Sequence, residues 1–258
     1  MAIDNFAEPP NTLNYEGNPR RVGVEIEFGS VSTKTAAHQV HELFGGELEQ
    51  EDQHRFHIVG TRFGDFLIEL DSQYVHRMSD ASQEGKDQLG DRMRAILGDI
   101  SELVVPNEIV CPPLEIAQLA KLEALMDGLV AIGASGTSTN PLHAFGCQLN
   151  PEIASTDTAY VLSMLRAYIL MSPWLRAVID LDITRRIVSF ADPFPTDYAR
   201  HILHAGYAPQ LEGIIDDYLA FNPTRNRELD MLPLFTWLDE ERVRSQVDDV
   251  RVKQRPTF

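Results

Sequence analysis

Two short stretches constrain the fold of this chain more than any other feature. In Val22–Phe28 and Asp65–Ser72 apolar residues alternate with other types, a period of two that a strand can bury on one side. Val22, Val24, Ile26 and Phe28 share one face of the first stretch, and Gly23, Glu25, Glu27 and Gly29 share the other. The second stretch sets Phe66, Ile68 and Leu70 against Leu67, Glu69 and Asp71. Glu25 and Glu27 are therefore same-face neighbours, with Cα atoms about 6.5 Å apart. The flanking glycines leave that face open to close approach. Glu108, in "PNEIVCPP", adds an acid on a third extended segment. Acids on a strand ordinarily mark the solvated face of a half-exposed antiparallel sheet. Here, however, like charges in line repel one another, and a solvated face more often carries Thr, Lys, Arg or Gln. An oxygen-only donor set of this kind suits Mg²⁺ or Mn²⁺ rather than zinc.

The remaining chain supplies a partner strand and then helices. "HRFHIV" (His54–Val59) alternates as well, and "GTRFG" joins it to the second acidic stretch, so these two are expected to be antiparallel neighbours. In "STKTAAHQVHELFGG", Ala37, Val40 and Phe44 share a helical face, and Gly45-Gly46 ends the pattern. Helices are also predicted from about Gln83 to Leu103 and from Pro113 to Ile132, with "NEIVCPPL" extended between them. From Thr156 onward, "TDTAYVLSMLRAYILMSPWLRAVI", "PTDYARHILHA" and "PQLEGIIDDYLAF" carry apolar residues at helical spacing. The expectation is one α+β domain over residues 20–258, its sheet mainly antiparallel with helices packed behind, following an irregular arm of residues 1–19.

Composition narrows the function. With 258 residues and 43% hydrophobic content the chain can build a substantial core. Its 22 Lys and Arg against 39 Asp and Glu give a net charge of -17, which disfavours nucleic acid or an anionic membrane as the main partner. A bound nucleotide would need metal ions or local arginines. The two cysteines, Cys111 and Cys147, and an N-terminus without a signal-peptide pattern point to a reducing cytoplasm. No apolar run approaches the roughly 20 residues of a membrane span. "GASGTSTNP" lacks the P-loop lysine, no "GxSxG" elbow is present, and the pairs His38/His41 and His201/His204 read as surface helix histidines.

Six segments in this order resemble the amidoligase family, carboxylate-amine ligases related to glutamate-cysteine ligase and glutamine synthetase. They are "GVEIEFG", "FLIELDS", "NEIVCPPLE", "NPLHAFGCQLNPE", "DITRRIVSFADPFPTDYAR" and "DYLAFNPTRNRELDMLPLF", and they span roughly Val22 to Phe235. The resemblance implies a curved antiparallel sheet, glutamine-synthetase-like, whose concave face holds ATP and divalent metal. It also implies phosphoryl transfer to a carboxylate, attack by an amine on the acyl phosphate, and release of phosphate. Carried over by residue, Glu25, Glu27 and Glu69 are metal-ligand candidates, with Asp71 and Glu108 behind them. Relatives often have two histidines spaced by one residue in the segment that here reads "LHAFGCQLN". Gln148 and Asn150 fill that spacing on one strand face, and His143 lies upstream as either a nucleotide contact or a hydrogen-bonded structural residue.

Arginines in the matching segments complete the picture. Arg225 and Arg227 are expected at ATP phosphate or the acyl phosphate, and Arg186 is a further candidate, because a guanidinium clamps such anions bidentately. Ion pairs with the abundant acids, for example Asp182 or Glu228, are the competing explanation. The functional expectation is an ATP- and Mg²⁺-dependent ligase acting on an amino acid, a peptide or a peptide-like carboxylate, together with an amine. A non-catalytic nucleotide- or metal-binding regulatory protein of the same fold and a carboxylate-metal hydrolase are the alternatives. The ending "RVKQRPTF" reads as the start of another extended segment, so a chain truncated before a last strand is expected. The identity of the substrates and the oligomeric state are not legible.

Overall fold

Strands form where the sequence alternates, and the computed structural model shows how they pair. It describes residues 8–70, 107–134, 146–178 and 192–258. The chain divides into two compact units, one formed by residues 22–149 and the other by residues 8–21 with 150–258. Both are described below in their own terms. The fold is α+β with a mainly antiparallel sheet.

The first unit holds the sheet. Its strands are β1 (Arg21–Phe28), β2 (Glu47–Gln50), β3 (Phe56–Thr61), β4 (Gly64–Leu70), β5 (Asn107–Val110) and the short β6 (Leu114–Glu115), in the order β2-β3-β4-β5-β1-β6. A further strand, β7 (Cys147–Pro151), pairs with β1. Helix α1 (Thr33–Phe44) starts at Ser32, whose hydroxyl accepts the Thr35 N–H, and stops at Gly45, whose φ is 76°. It buries Ala37, Val40 and Phe44, the face that its spacing predicts. With α2 (Leu122–Ala131) it belongs to a core that includes Ile26, Ile58, Ile68 and Ile109.

Two expectations change here. The predicted helix of Pro113–Ile132 begins only at Leu122. Leu114–Glu115 joins the sheet, and Ile116–Lys121 is a tight 3₁₀ stretch in which the Gln118 side chain accepts the Glu115 N–H. That local side-chain bond starts the tight turn in place of a regular α-helical turn. The sheet itself is uncurled, where the resemblance implied a curved one. Its path is open and its strands are short, four residues in β2 and β5 and two in β6, which leaves little length over which coiling can accumulate. The helix expected from about Gln83 to Leu103 lies outside the described residues.

The hairpin of β3 and β4 carries a register change that matters for the site. Phe56 opposes Ile68 and Ile58 opposes Phe66, but Thr61 opposes Gly64, so one extra residue is absorbed between Ile58 and Thr61. Gly60, at φ 69°, lies in that interval. A glycine in the left-handed region is the usual device for such a bulge. Without it the strands would pair one residue out of step and Phe56 would face Glu69 instead of Ile68.

The second unit is helical: α3 (Thr158–Val178), α4 (Thr196–Leu203), α5 (Leu211–Phe221), α6 (Leu232–Leu238) and α7 (Glu240–Arg244). Tyr198, Tyr218, Phe235, Leu165 and Ile214 lie in its core. The buried Tyr218 hydroxyl accepts the Met231 N–H at 3.1 Å. Residues 8–21 join this unit through polar contacts with Glu152. Its carboxylate accepts from the Arg21 backbone and guanidinium and from Asn14, while Arg20 Nε donates to the Glu152 carbonyl at 2.6 Å. Burial pushes the Glu152 carboxyl up, but the Arg21 and Asn14 bonds outweigh it and hold the group below the usual range. No helix among the described residues is long and apolar enough to cross a membrane.

Gly60→Ala is expected to destabilise the protein by about 1–2 kcal/mol through backbone conformation alone. A methyl added at Gly60 would meet nothing within 4 Å, so no clash contributes. Urea denaturation measures the loss, and an unchanged midpoint contradicts the assignment of the bulge to a left-handed glycine.

Candidate functional site

The register brings four acids from three neighbouring strands onto one face. Across β1 and β5, Glu27 opposes Glu108, and across β5 and β4, Glu108 opposes Glu69. The three thus form a lateral row, Glu27–Glu108–Glu69, with strands about 4.8 Å apart. Glu25 lies one pleat period away from Glu27 on β1, opposite Val110. Asp71 lies outside the described residues.

This row is not a solvated face. Glu27 and Glu108 are only 8% and 7% exposed, and Glu25 and Glu69 are intermediate. Burying carboxylates is costly unless charge or hydrogen bonds compensate them. The side chains line a row instead of converging on a point, and among the described residues no three His, Cys, Asp or Glu groups gather closely enough to cage a metal ion. The donor chemistry fits Mg²⁺, which keeps several waters and takes one or two carboxylates together with substrate phosphates instead of an all-protein cage.

Strand β7 runs beside β1. The Glu27 N–H donates to the Gly146 carbonyl, and the Glu152 N–H donates to the Arg21 carbonyl. As β1 steps back six residues β7 steps forward six, so the pair is antiparallel and Gln148 falls opposite Glu25. Asn150 shares the Gln148 side of β7 by parity. His143 lies outside the described residues. Both thiols are held toward the protonated form. Burial raises the pKa of Cys111, with Cys147 and Glu25 adding to the effect. Cys147 is exposed by area, yet its thiol is also raised, first by the protein packed around it and then by Glu27 and Glu25.

Arg55 is the residue that reading the sequence missed. It immediately precedes β3, and its Nε lies 3.3 Å from Glu69 Oε2 and 3.2 Å from Glu51 Oε2. The row therefore ends on a cation. The alternation of "HRFHIV" sets Arg55 and His57 against Phe56 and Ile58, but its position beside Glu69 depends on the bulge, which the sequence signals only as one glycine among several.

Arg225 and Arg227 belong to the second unit, and there they hold structural partners. Arg225 Nε is 3.5 Å from Asp230 Oδ2. Arg227 donates from Nε to Asn222 Oδ1 at 2.9 Å and from a terminal nitrogen to the Pro193 carbonyl at 3.2 Å. Glu228, named above as a partner for these arginines, instead accepts from Ser172 and Arg176. Arg186 and Asp182 lie outside the described residues. Of the histidines, His201 meets Asp217 at 2.9 Å, and His204 Nδ1 accepts the Gly206 N–H. His38 is exposed on α1.

A family model described as "Putative amidoligase enzyme" matches residues 18–258. The chain belongs to this amidoligase family. The match takes in the whole acidic row together with Arg55, Arg225 and Arg227. No curated protein and no solved structure matches the chain. Family membership points to an enzyme of ligase type.

Asp230 gives a prediction about pH. Burial pushes its carboxyl up to about 6 against an ordinary value of 3.8, even though Arg225 and the Leu232 N–H favour the charged form. The folded state therefore binds more protons than the unfolded state between these values. Asp230 contributes stability at low pH that is lost as pH rises through about 6. Urea denaturation of wild type against Asp230→Asn should show a component of stability falling between pH 4 and 7 in the wild type alone. Parallel curves contradict the raised carboxyl.

Proposed function

We propose that the protein is an ATP- and Mg²⁺-dependent carboxylate-amine ligase that makes an amide or isopeptide bond through an acyl phosphate. The observation that supports this reading is the row Glu27–Glu108–Glu69, with Glu25 beside it, in a chain of the amidoligase family. In this reading Glu25, Glu27, Glu69 and Glu108 hold divalent metal, with Asp71 a further candidate, and Gln148 and Asn150 lie along the nucleotide. His143 is a candidate nucleotide contact as well. Bound Mg²⁺, or Mn²⁺ in its place, would neutralise the triphosphate against a face that otherwise repels it. The sheet would then be a flatter relative of the glutamine-synthetase type.

The chemistry balances without a covalent enzyme intermediate. The γ-phosphoryl group passes from ATP to the substrate carboxylate, leaving ADP. The amine then attacks the acyl carbon, inorganic phosphate departs, and the new amide nitrogen loses a proton. Guanidinium groups suit the charge that develops on the transferring group, and Arg225, Arg227 and Arg186 are the candidates for that role. The substrate class is an amino acid, a peptide or a peptide-like carboxylate with a small amine or peptide amine. The strong negative charge argues against nucleic acid or an anionic membrane as partner, and the cysteine usage suits a reducing cytoplasm.

One observation favours a second reading, a non-catalytic nucleotide- or metal-binding protein of the same family: Arg225 and Arg227 are already engaged within their own unit. The test is ADP release from ATP and Mg²⁺ with mixtures of amino acids and peptides. Release that requires both an amine and a carboxylate supports the ligase. Nucleotide bound without turnover supports the second reading, and hydrolysis of a substrate with no ADP sinks both.

Glu25→Gln and Glu27→Gln are each expected to leave the fold intact and to weaken Mg-ATP binding about tenfold or more, as loss of a charged contact does. Calorimetric titration and circular dichroism measure the two effects. Wild-type affinity in either variant removes that acid from the ligand set.

A further inference from the structure

Arg55 brings a cation to Glu69, at the end of the acidic row. Its Nε sits between Glu51 and Glu69, is buried, and makes no hydrogen bond to either, although both oxygens lie within ion-pair distance. Glu51 Oε2 is also engaged by His57 Nε2 at 2.9 Å. The guanidinium is therefore drawn to two acids without being locked by the geometry of one. Its side chain is 41% exposed, so it can turn without unpacking the core.

We propose that Arg55 is a resident counter-ion of the carboxylate row: it neutralises Glu69 while no metal is bound, yields Glu69 to a divalent cation, and then turns its guanidinium to the phosphates of the nucleotide. The inference rests on the metal-binding reading given above. A divalent ion and a guanidinium at one carboxylate repel each other, and the hard cation takes the oxygen. A guanidinium released beside the row has five donors and a planar fork that matches phosphate. Arg55 is thus a competitor for the metal and a partner for the nucleotide, two roles that predict opposite effects of its removal.

The test uses the full chain with Mn²⁺ alone, followed by an unhydrolysable ATP analogue with Mg²⁺, both by calorimetric titration at low salt. In Arg55→Gln, Mn²⁺ is expected to bind about two- to fivefold more tightly, the range that loss of an exposed ion pair allows. The analogue should bind about tenfold more weakly. Arg55→Lys keeps the charge and should return Mn²⁺ affinity to the wild-type value while recovering analogue binding only in part. Unchanged affinities in Arg55→Gln, or a loss of both together, overturn the inference and leave Arg55 a structural residue. Tighter Mn²⁺ binding in Arg55→Lys equal to that in Arg55→Gln also overturns it, because charge is then not the cause. Wild type that takes up no Mn²⁺ overturns the metal reading itself, a result distinct from all of these.

Discussion

The structure depends on one constraint, that the same register which buries the apolar face of the sheet also aligns its carboxylates. Ile26, Ile109, Ile68 and Phe56 oppose one another in turn across β1, β5, β4 and β3. Glu27, Glu108 and Glu69 do the same one residue along on the other face. Because side chains alternate with a period of two, no strand can slip by one residue to separate its acid without turning its isoleucine out to water. Each of those apolar residues is at most 2% exposed, and losing the burial of one costs about 1.5–3 kcal/mol. Like charges set directly opposite repel by about 0.2–1 kcal/mol for each pair. The apolar face wins, and the acids stay where it holds them.

That imbalance explains how a chain carrying a charge of -17 can concentrate acids without coming apart. The repulsion is a cost the sheet can carry in the absence of any ligand, and Arg55 relieves it at one end. Among the described residues the acids are spread along the row and no three potential ligands converge.

Much of this was legible in the residues, and the illegible part has identifiable causes. Alternation alone assigns Glu25, Glu27 and Glu69 to the face opposite the core, because parity is a local property. That β5 inserts between β1 and β4, making Glu108 the centre of the row, is a long-range pairing of a four-residue strand with strands far away in sequence. No local pattern encodes such a choice of neighbours. Helix α6 was missed because "LPLFTWL" is buried on nearly every side and shows no polar stripe. Helix α2 was drawn too long because the periodicity of apolar residues cannot tell a 3₁₀ turn from an α-helical one over a few residues. The grouping of residues 8–21 with the second unit rests on Glu152, an acid over a hundred residues away whose partners no spacing rule connects.

The two arginines of "RNR", alike in sequence, separate once their partners are known. Arg225 faces Asp230, a carboxylate that is mostly ionised at neutral pH even with its pKa pushed up to about 6, so the positive charge is matched within the unit. The partners of Arg227 are an amide oxygen and a backbone carbonyl, which are neutral acceptors. Such bonds fix the orientation of a guanidinium without cancelling its charge, and they use only part of its five donors. A side chain oriented by neutral groups and still carrying its full charge is preorganised for an anion, since turning toward it costs little entropy and breaks no ion pair. Recruiting Arg225 instead would take from Asp230 its principal charge partner, leaving the Leu232 N–H and Arg255 to favour the carboxylate. The pair thus divides into Arg225, whose charge a carboxylate matches, and Arg227, whose orientation neutral acceptors fix.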